Sequence, residues 1–132
     1  MSILNFPIKM KPLGFKDLKR KDIVYFCYGG KYVEKVKLAS TPYLITEEWG
    51  IFDDTEYQSR WKIAFVSLDS DCNKEHYRYL SDAGILDQPQ VGPSGEDVKT
   101  YENSTNRVFR TLAEAEEWNR NLPPIDDWFF DL

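Results

Sequence analysis

Cysteine and histidine are scarce in this sequence: two Cys, Cys27 and Cys72, and one His, His76, in 132 residues. Disulfide frameworks in small domains use four or more cysteines, so the pattern points to a reducing compartment. A zinc site needs four ligands, and both cysteines with the single histidine supply only three. No stretch approaches the ~20 apolar residues of a membrane span. The opening MSILNFPIKMK has no secretory apolar segment, so a cytoplasmic protein without a membrane partner is expected. Also missing are a Gly-rich phosphate loop, a G-x-S-x-G elbow and an H-E-x-x-H motif. These absences argue against an enzyme and against a bound cofactor or metal.

What the chain does have is apolar and aromatic mass. Eight Phe, eight Tyr and four Trp stand beside seven Gly and seven Pro, which excludes a collagen-like or largely disordered chain. A domain of this length buries about two thirds of its unfolded surface, enough for a core without metal or disulfide. Residues 1–132 are read as a single domain, with an extended lead-in over 1–15 and an acidic-aromatic tail over 125–132. Pro7, Pro12 and Gly14 keep the lead-in from helix, and residues 15–20 suit one short helical turn.

Asp22 to Tyr28 is a dense β-branched and aromatic run ended by Gly29-Gly30, and Lys31 to Leu38 follows at once. Two strands around Gly-Gly predict a hairpin with a two-residue type I′ turn, whose central residues both need positive φ. On the second strand Tyr32, Val36 and Leu38 share one face, while Lys35 and Lys37 lie with Val33 on the other. Residues 41–59, with Pro42, Gly50 and five acids, read as a loop holding at most a short strand at 43–45. Arg60 to Leu68 is a third strand, with Trp61, Ile63 and Phe65 on one face. Residues 75–84 read as a short helix closed by Gly84, and residues 107–110 as a strand at the sheet edge. Thr111 and Glu114 form a T-x-x-E capping box for a terminal helix with the stripe Leu112, Ala115 and Trp118, stopped by Pro123-Pro124.

This order predicts an α+β fold: a small curved antiparallel sheet with a short central helix and a C-terminal helix. Asp17-Leu18 followed by Lys21-Asp22-Ile23-Val24-Tyr25-Phe26 resembles the first strand of SH3-like small barrels. The resemblance implies a barrel-like curl and no particular function.

The net charge of −5 conceals an asymmetry. Residues 1–38 carry nine bases against three acids, and the remainder eight bases against nineteen acids. Such a split can orient an encounter with a charged partner. Asp69-Ser-Asp-Cys-Asn-Lys-Glu75 resembles the opening of a calcium loop, but Lys74 and Leu80 stand where that loop needs Gly and a carboxylate. An Asx-type turn is the expected structure there. Cys72 and His76 are four residues apart and would share a helical face. A thiol enzyme built on them would still need an orienting group and an oxyanion site.

Pro123 to Leu132 sets Trp128, Phe129 and Phe130 among Asp126, Asp127 and Asp131. Apolar anchors with a negative rim suit a groove with a basic border. The segment resembles the acidic, Phe-containing tips that recruit partners to single-strand binding proteins. Ile125-x-x-Trp128-Phe129 also resembles sliding-clamp-binding peptides, departing from them at Leu122, where they carry Gln. Alternatively the three rings fold back on the sheet, each gaining ~1.5–3 kcal/mol of burial. The expected function is a non-enzymatic interaction protein of viral accessory or inhibitor type. It would dock an acidic surface, with residues 126–131 at its centre, onto a basic protein partner such as a nucleic-acid-binding protein. The alternative is a nucleic-acid-binding module using Lys19, Arg20, Lys21, Lys35 and Lys37, with Tyr25, Tyr28, Tyr32 or Trp61 as stacking surfaces.

Overall fold

A computed structural model describes residues 11–29, 31–51, 54–71, 73–91 and 105–122. After a 3-10 turn at Phe15–Asp17 come β1 (Ile23–Tyr28), β2 (Tyr32–Leu38), β3 (Tyr43–Ile51), β4 (Asp54–Ser67) and β5 (Glu75–Tyr79). Then follow α1 (Leu80–Ala83), β6 (Arg107–Phe109) and α2 (Leu112–Arg120). All pairings are antiparallel, in the order β3-β4-β2-β1-β6, and β5 joins β4 off this path. The fold is α+β, a curled antiparallel half-barrel with two short helices.

The curl has a countable cause. β2 ends its ladder at Leu38↔Phe65 and β3 begins at Tyr43↔Lys62, both on the same edge of β4. Between those pairs, positions 39–42 face only positions 63 and 64. Extra residues on one side bend and twist a sheet. The bend is tied down by the Ala39 N–H, which donates to the Ala64 carbonyl at 2.8 Å, and the Ala64 N–H, which donates to Ser40 Oγ at 3.0 Å.

The concave face encloses the main core of Val24, Phe26, Val36, Leu38, Ile63, Phe65 and Val108, capped by Leu13, Leu18, Leu80, Ala83 and Ile85. Phe26 and Phe65 meet edge to face at 5.0 Å, a favoured aromatic geometry. On the outer face α2 lays Ala115 and Trp118 over Cys27 and Phe109, with Tyr25 and Val33 beside them. Thr111 caps α2 by accepting the Glu114 N–H at 3.3 Å, while its hydroxyl donates to the Glu114 carboxylate at 2.7 Å. α2 covers only the β1, β2 and β6 part of that face.

Four sequence readings need correction. Tyr28 pairs with Tyr32, so the first hairpin is joined by three residues, 29–31, and Lys31 belongs to the turn. Gly29 does adopt positive φ, at 56°. The short strand expected at 43–45 runs on to 51, and 54–59 are strand rather than loop, because 43–51 pair with 54–62 over nine rungs. Residues 75–79 form β5, since pairing with the long β4 captures them, and only Leu80–Ala83 is helical. Gly84 ends that helix at φ 88°, where an added Cβ would lie 1.9 Å from the Asn106 carbonyl oxygen. Leu112 is 45% exposed, so the stripe of α2 reduces to Ala115 and Trp118. The third strand, β6 and the Thr111 cap stand where the sequence places them.

Candidate interaction surface

The long β4 ladder makes an arm. β5 pairs with β4 only as far as Lys62↔Tyr79, and eight of the nine β3–β4 rungs lie beyond that point. At about 3.4 Å per residue the ribbon reaches roughly 25 Å from its root. Its sequence from 43 to 58 contains Glu47, Glu48, Asp53, Asp54 and Glu56 and no Lys or Arg. Glu48, Leu44 and Tyr57 are exposed, Tyr57 at 60%.

The root of the arm is clamped on both faces. On the outer face Lys62 is nearly buried, with its ammonium 4.0 Å from the Tyr77 ring centroid and 4.8 Å from that of Tyr79. It pairs with Glu47 at 3.4 Å, and the Tyr79 hydroxyl donates to the same carboxylate. The Arg60 guanidinium carbon sits over the Tyr79 ring, 3.4 Å from its centroid. The hydrogen bond from Tyr79, then Lys62, holds the Glu47 carboxyl below its ordinary range, and the same bond raises the tyrosine. Burial first, then the charges of Glu75 and Tyr77, raises Tyr43. On the concave face Trp61 donates from Nε1 to the Pro89 carbonyl at 3.0 Å and packs edge-on against Phe15 at 4.8 Å. Farther out, the Thr46 and Ser59 hydroxyls bond across the ribbon at 3.0 Å. These contacts hold the root of the arm against the domain.

The basic residues singled out in the sequence are partly brought together. The Lys21 N–H donates to the Leu38 carbonyl at 2.7 Å, which sets the exposed Lys19, Arg20 and Lys21 beside Lys37. Ion pairing between Arg110 and Asp22 at 3.4 Å adds a cation and a carboxylate to this end. Lys35 is half-buried two residues before Lys37 on the same strand face, its N–H donating to the Asp69 carboxylate at 2.8 Å. The aromatic candidates do not join the cluster. Tyr28 and Tyr32 stack on each other at 4.6 Å at the far end of the hairpin, Tyr25 packs toward α2, and Trp61 is held by Phe15.

Asp69 accepts the Lys35 N–H and so ties the β4–β5 loop to β2, and among the described residues no three His, Cys, Asp or Glu gather as metal ligands. His76 lies on β5 beside Phe65, so helical spacing to Cys72 does not apply, and Cys72 lies outside the described residues. Asp126, Asp127, Trp128, Phe129, Phe130 and Asp131 also lie outside them. Among the described residues no helix is long and apolar enough to cross a membrane. Sequence reasoning passes over Glu47, Arg60, Lys62 and Tyr79. The available signal was Lys62, a charge set among the apolar residues of a strand.

These features define a small α+β domain on a curled antiparallel half-barrel, with an acidic two-stranded arm carried by its longest strand. Residues 13–122 match the family model described as Phage g100-like protein, and the chain belongs to that family. It is a protein of phage type, and the matched stretch contains the whole arm. No curated protein and no solved structure matches the chain.

Proposed function

We propose that this phage protein is a non-enzymatic interaction protein that docks an acidic surface onto a basic protein partner, with the arm as its leading surface. The observation that carries this reading is the arm itself: five acids and no base between residues 43 and 58, on a ribbon extending beyond β5. A negative projection on a clamped root steers a basic partner and fixes register, the part that charge plays best in recognition. Residues 126–131, outside the described residues, are proposed to take part in the same docking.

The test is capture from an extract of phage-infected host cells, comparing the native chain with the triple variant Glu48→Lys, Asp54→Lys, Glu56→Lys. The reading expects one partner, released by moderate salt, to be captured by the native chain and lost with the variant at unchanged melting temperature. Equal capture by both chains overturns it.

A second reading is favoured by the contact that sets Lys19, Arg20 and Lys21 beside Lys37. It makes this end a phosphate-binding patch. Affinity for single-stranded DNA or RNA would then fall steeply with salt as counterions are released. Reversing Lys19, Arg20 and Lys21 to Glu would abolish it.

A further inference from the structure

The sheet has an open edge where the charge is most negative. β3 pairs with β4 along one side, and among the described residues no strand or backbone group pairs with its other side. In an antiparallel ribbon every second residue turns its N–H and C=O away from the partner, so nine residues offer a long ladder of unused groups. The opposite end of the sheet differs. β6 is three residues long, and the Leu13 N–H already donates to its Val108 carbonyl at 2.7 Å. β5 has five residues on its own edge and carries His76 and Arg78. Among the described residues β3 combines length and projection with acids and no base, whereas the open β4 edge beyond β5 carries Arg60.

We infer that the β3 edge accepts an extended, Lys- or Arg-bearing segment of the partner protein as an added antiparallel or parallel strand. This rests on the acidic docking reading and specifies how the partner is held. Main-chain hydrogen bonds supply the attachment in strand addition, and alternate side chains supply selection. Charge chooses the occupant. A second copy of this chain, pairing antiparallel about its midpoint, would bring the two exposed Glu48 side chains within diagonal reach on one face and supply no base from its own β3. Like charges opposite one another destabilise a ladder, whereas lysines or arginines there are favoured. Glu47 is already matched by Lys62 and Tyr79, so the exposed Glu48 is the β3 carboxylate that an incoming cation meets.

The probe is a nine-residue peptide of alternating Lys and Val, compared with its fully N-methylated counterpart, which keeps the charge and has no N–H to donate. Amide hydrogen exchange is read on the full chain, free and with each peptide. The inference expects every second amide of β3 to slow at least tenfold with the plain peptide, and the methylated peptide to bind at least tenfold more weakly. Equal binding of the two peptides, or binding without β3 protection, overturns strand addition. So does failure of the plain peptide to bind, and so does a chain that dimerises with its own β3 amides protected. The acidic reading answers separately to the capture experiment with the triple Lys variant. A variant that loses the natural partner, beside equal binding of both peptides, leaves that reading standing and removes strand addition alone.

Discussion

Glu47→Gln should loosen the arm at its root, and the size of the effect follows from the surroundings of Lys62. The Lys62 side chain is 11% exposed and that of Glu47 26%, so water replaces little of what the pair loses. Glutamine keeps the volume and removes the charge. The ammonium retains two tyrosine rings, at 4.0 and 4.8 Å, as its remaining partners. A hydrogen bond to a charged group is worth about 1.5–3 kcal/mol, and that is the expected loss. In a domain of this size it corresponds to roughly 5–10 °C in melting temperature. Lys62→Met should cost less, ~1 kcal/mol, since methionine fills the apolar position and Tyr79 still donates to Glu47. Removing both charges leaves no unpaired ion, so the double variant should be milder than the sum by about 1–2 kcal/mol.

Urea unfolding of the four proteins at pH 7 measures this cycle. Glu47 has a depressed folded pKa, so its contribution is fully present above the unfolded carboxyl value of ~4.3 and fades as pH falls through the lower folded value. The gap between the native chain and Glu47→Gln should therefore close in acid. Additive costs within ~0.3 kcal/mol, or a gap independent of pH, would refute the clamp.

Other expectations follow from the core and the caps. Trp118→Ala should cost about 3–5 kcal/mol by calorimetry, since the ring packs on Phe109 and its Nε1 donates to the Thr105 carbonyl at 2.9 Å. Thr111→Ala should cost only ~1 kcal/mol, the worth of a cap. Gly84→Ala should destabilise more than that cap does, because positive φ and the nearby Asn106 carbonyl both oppose a Cβ. Burial pushes the Cys27 thiol up to about 12, so in a Cys72→Ser background it should resist alkylation at pH 8 until the chain unfolds. Its folded pKa lies above the unfolded value of ~8.5, so its contribution is present below that pH and is lost as pH rises from ~8.5 toward 12.

The half of the fold built on alternation was legible in the sequence. Gly29-Gly30 marks the first hairpin, and Ile63 and Phe65 share the buried face that their spacing assigns. Thr111 also caps the helix that it heads. The arm was not legible, because its half-buried face mixes apolar Tyr43 and Ile45 with the charged Glu47, so no apolar period of two stands out in the sequence. Its five acids and Gly50 then read as loop chemistry. β5 was hidden for a related reason: Tyr77 and Tyr79 face the cations of β4, a contact that only the pairing reveals. The candidate site follows the same division. Its charge excess was visible as an acidic region after residue 38, while its concentration on one projecting ribbon depends on a ladder between residues up to nineteen apart in sequence.

Site-specific photo-cross-linking tests the central claim most directly. A photoreactive residue is placed at Glu48 or Tyr57 on the arm, and in separate chains at Lys21 on the basic end, each in phage-infected host cells. The account predicts adducts with one basic protein from positions 48 and 57 and none from position 21. Adducts from position 21 alone, or adducts with nucleic acid in place of protein, would contradict it.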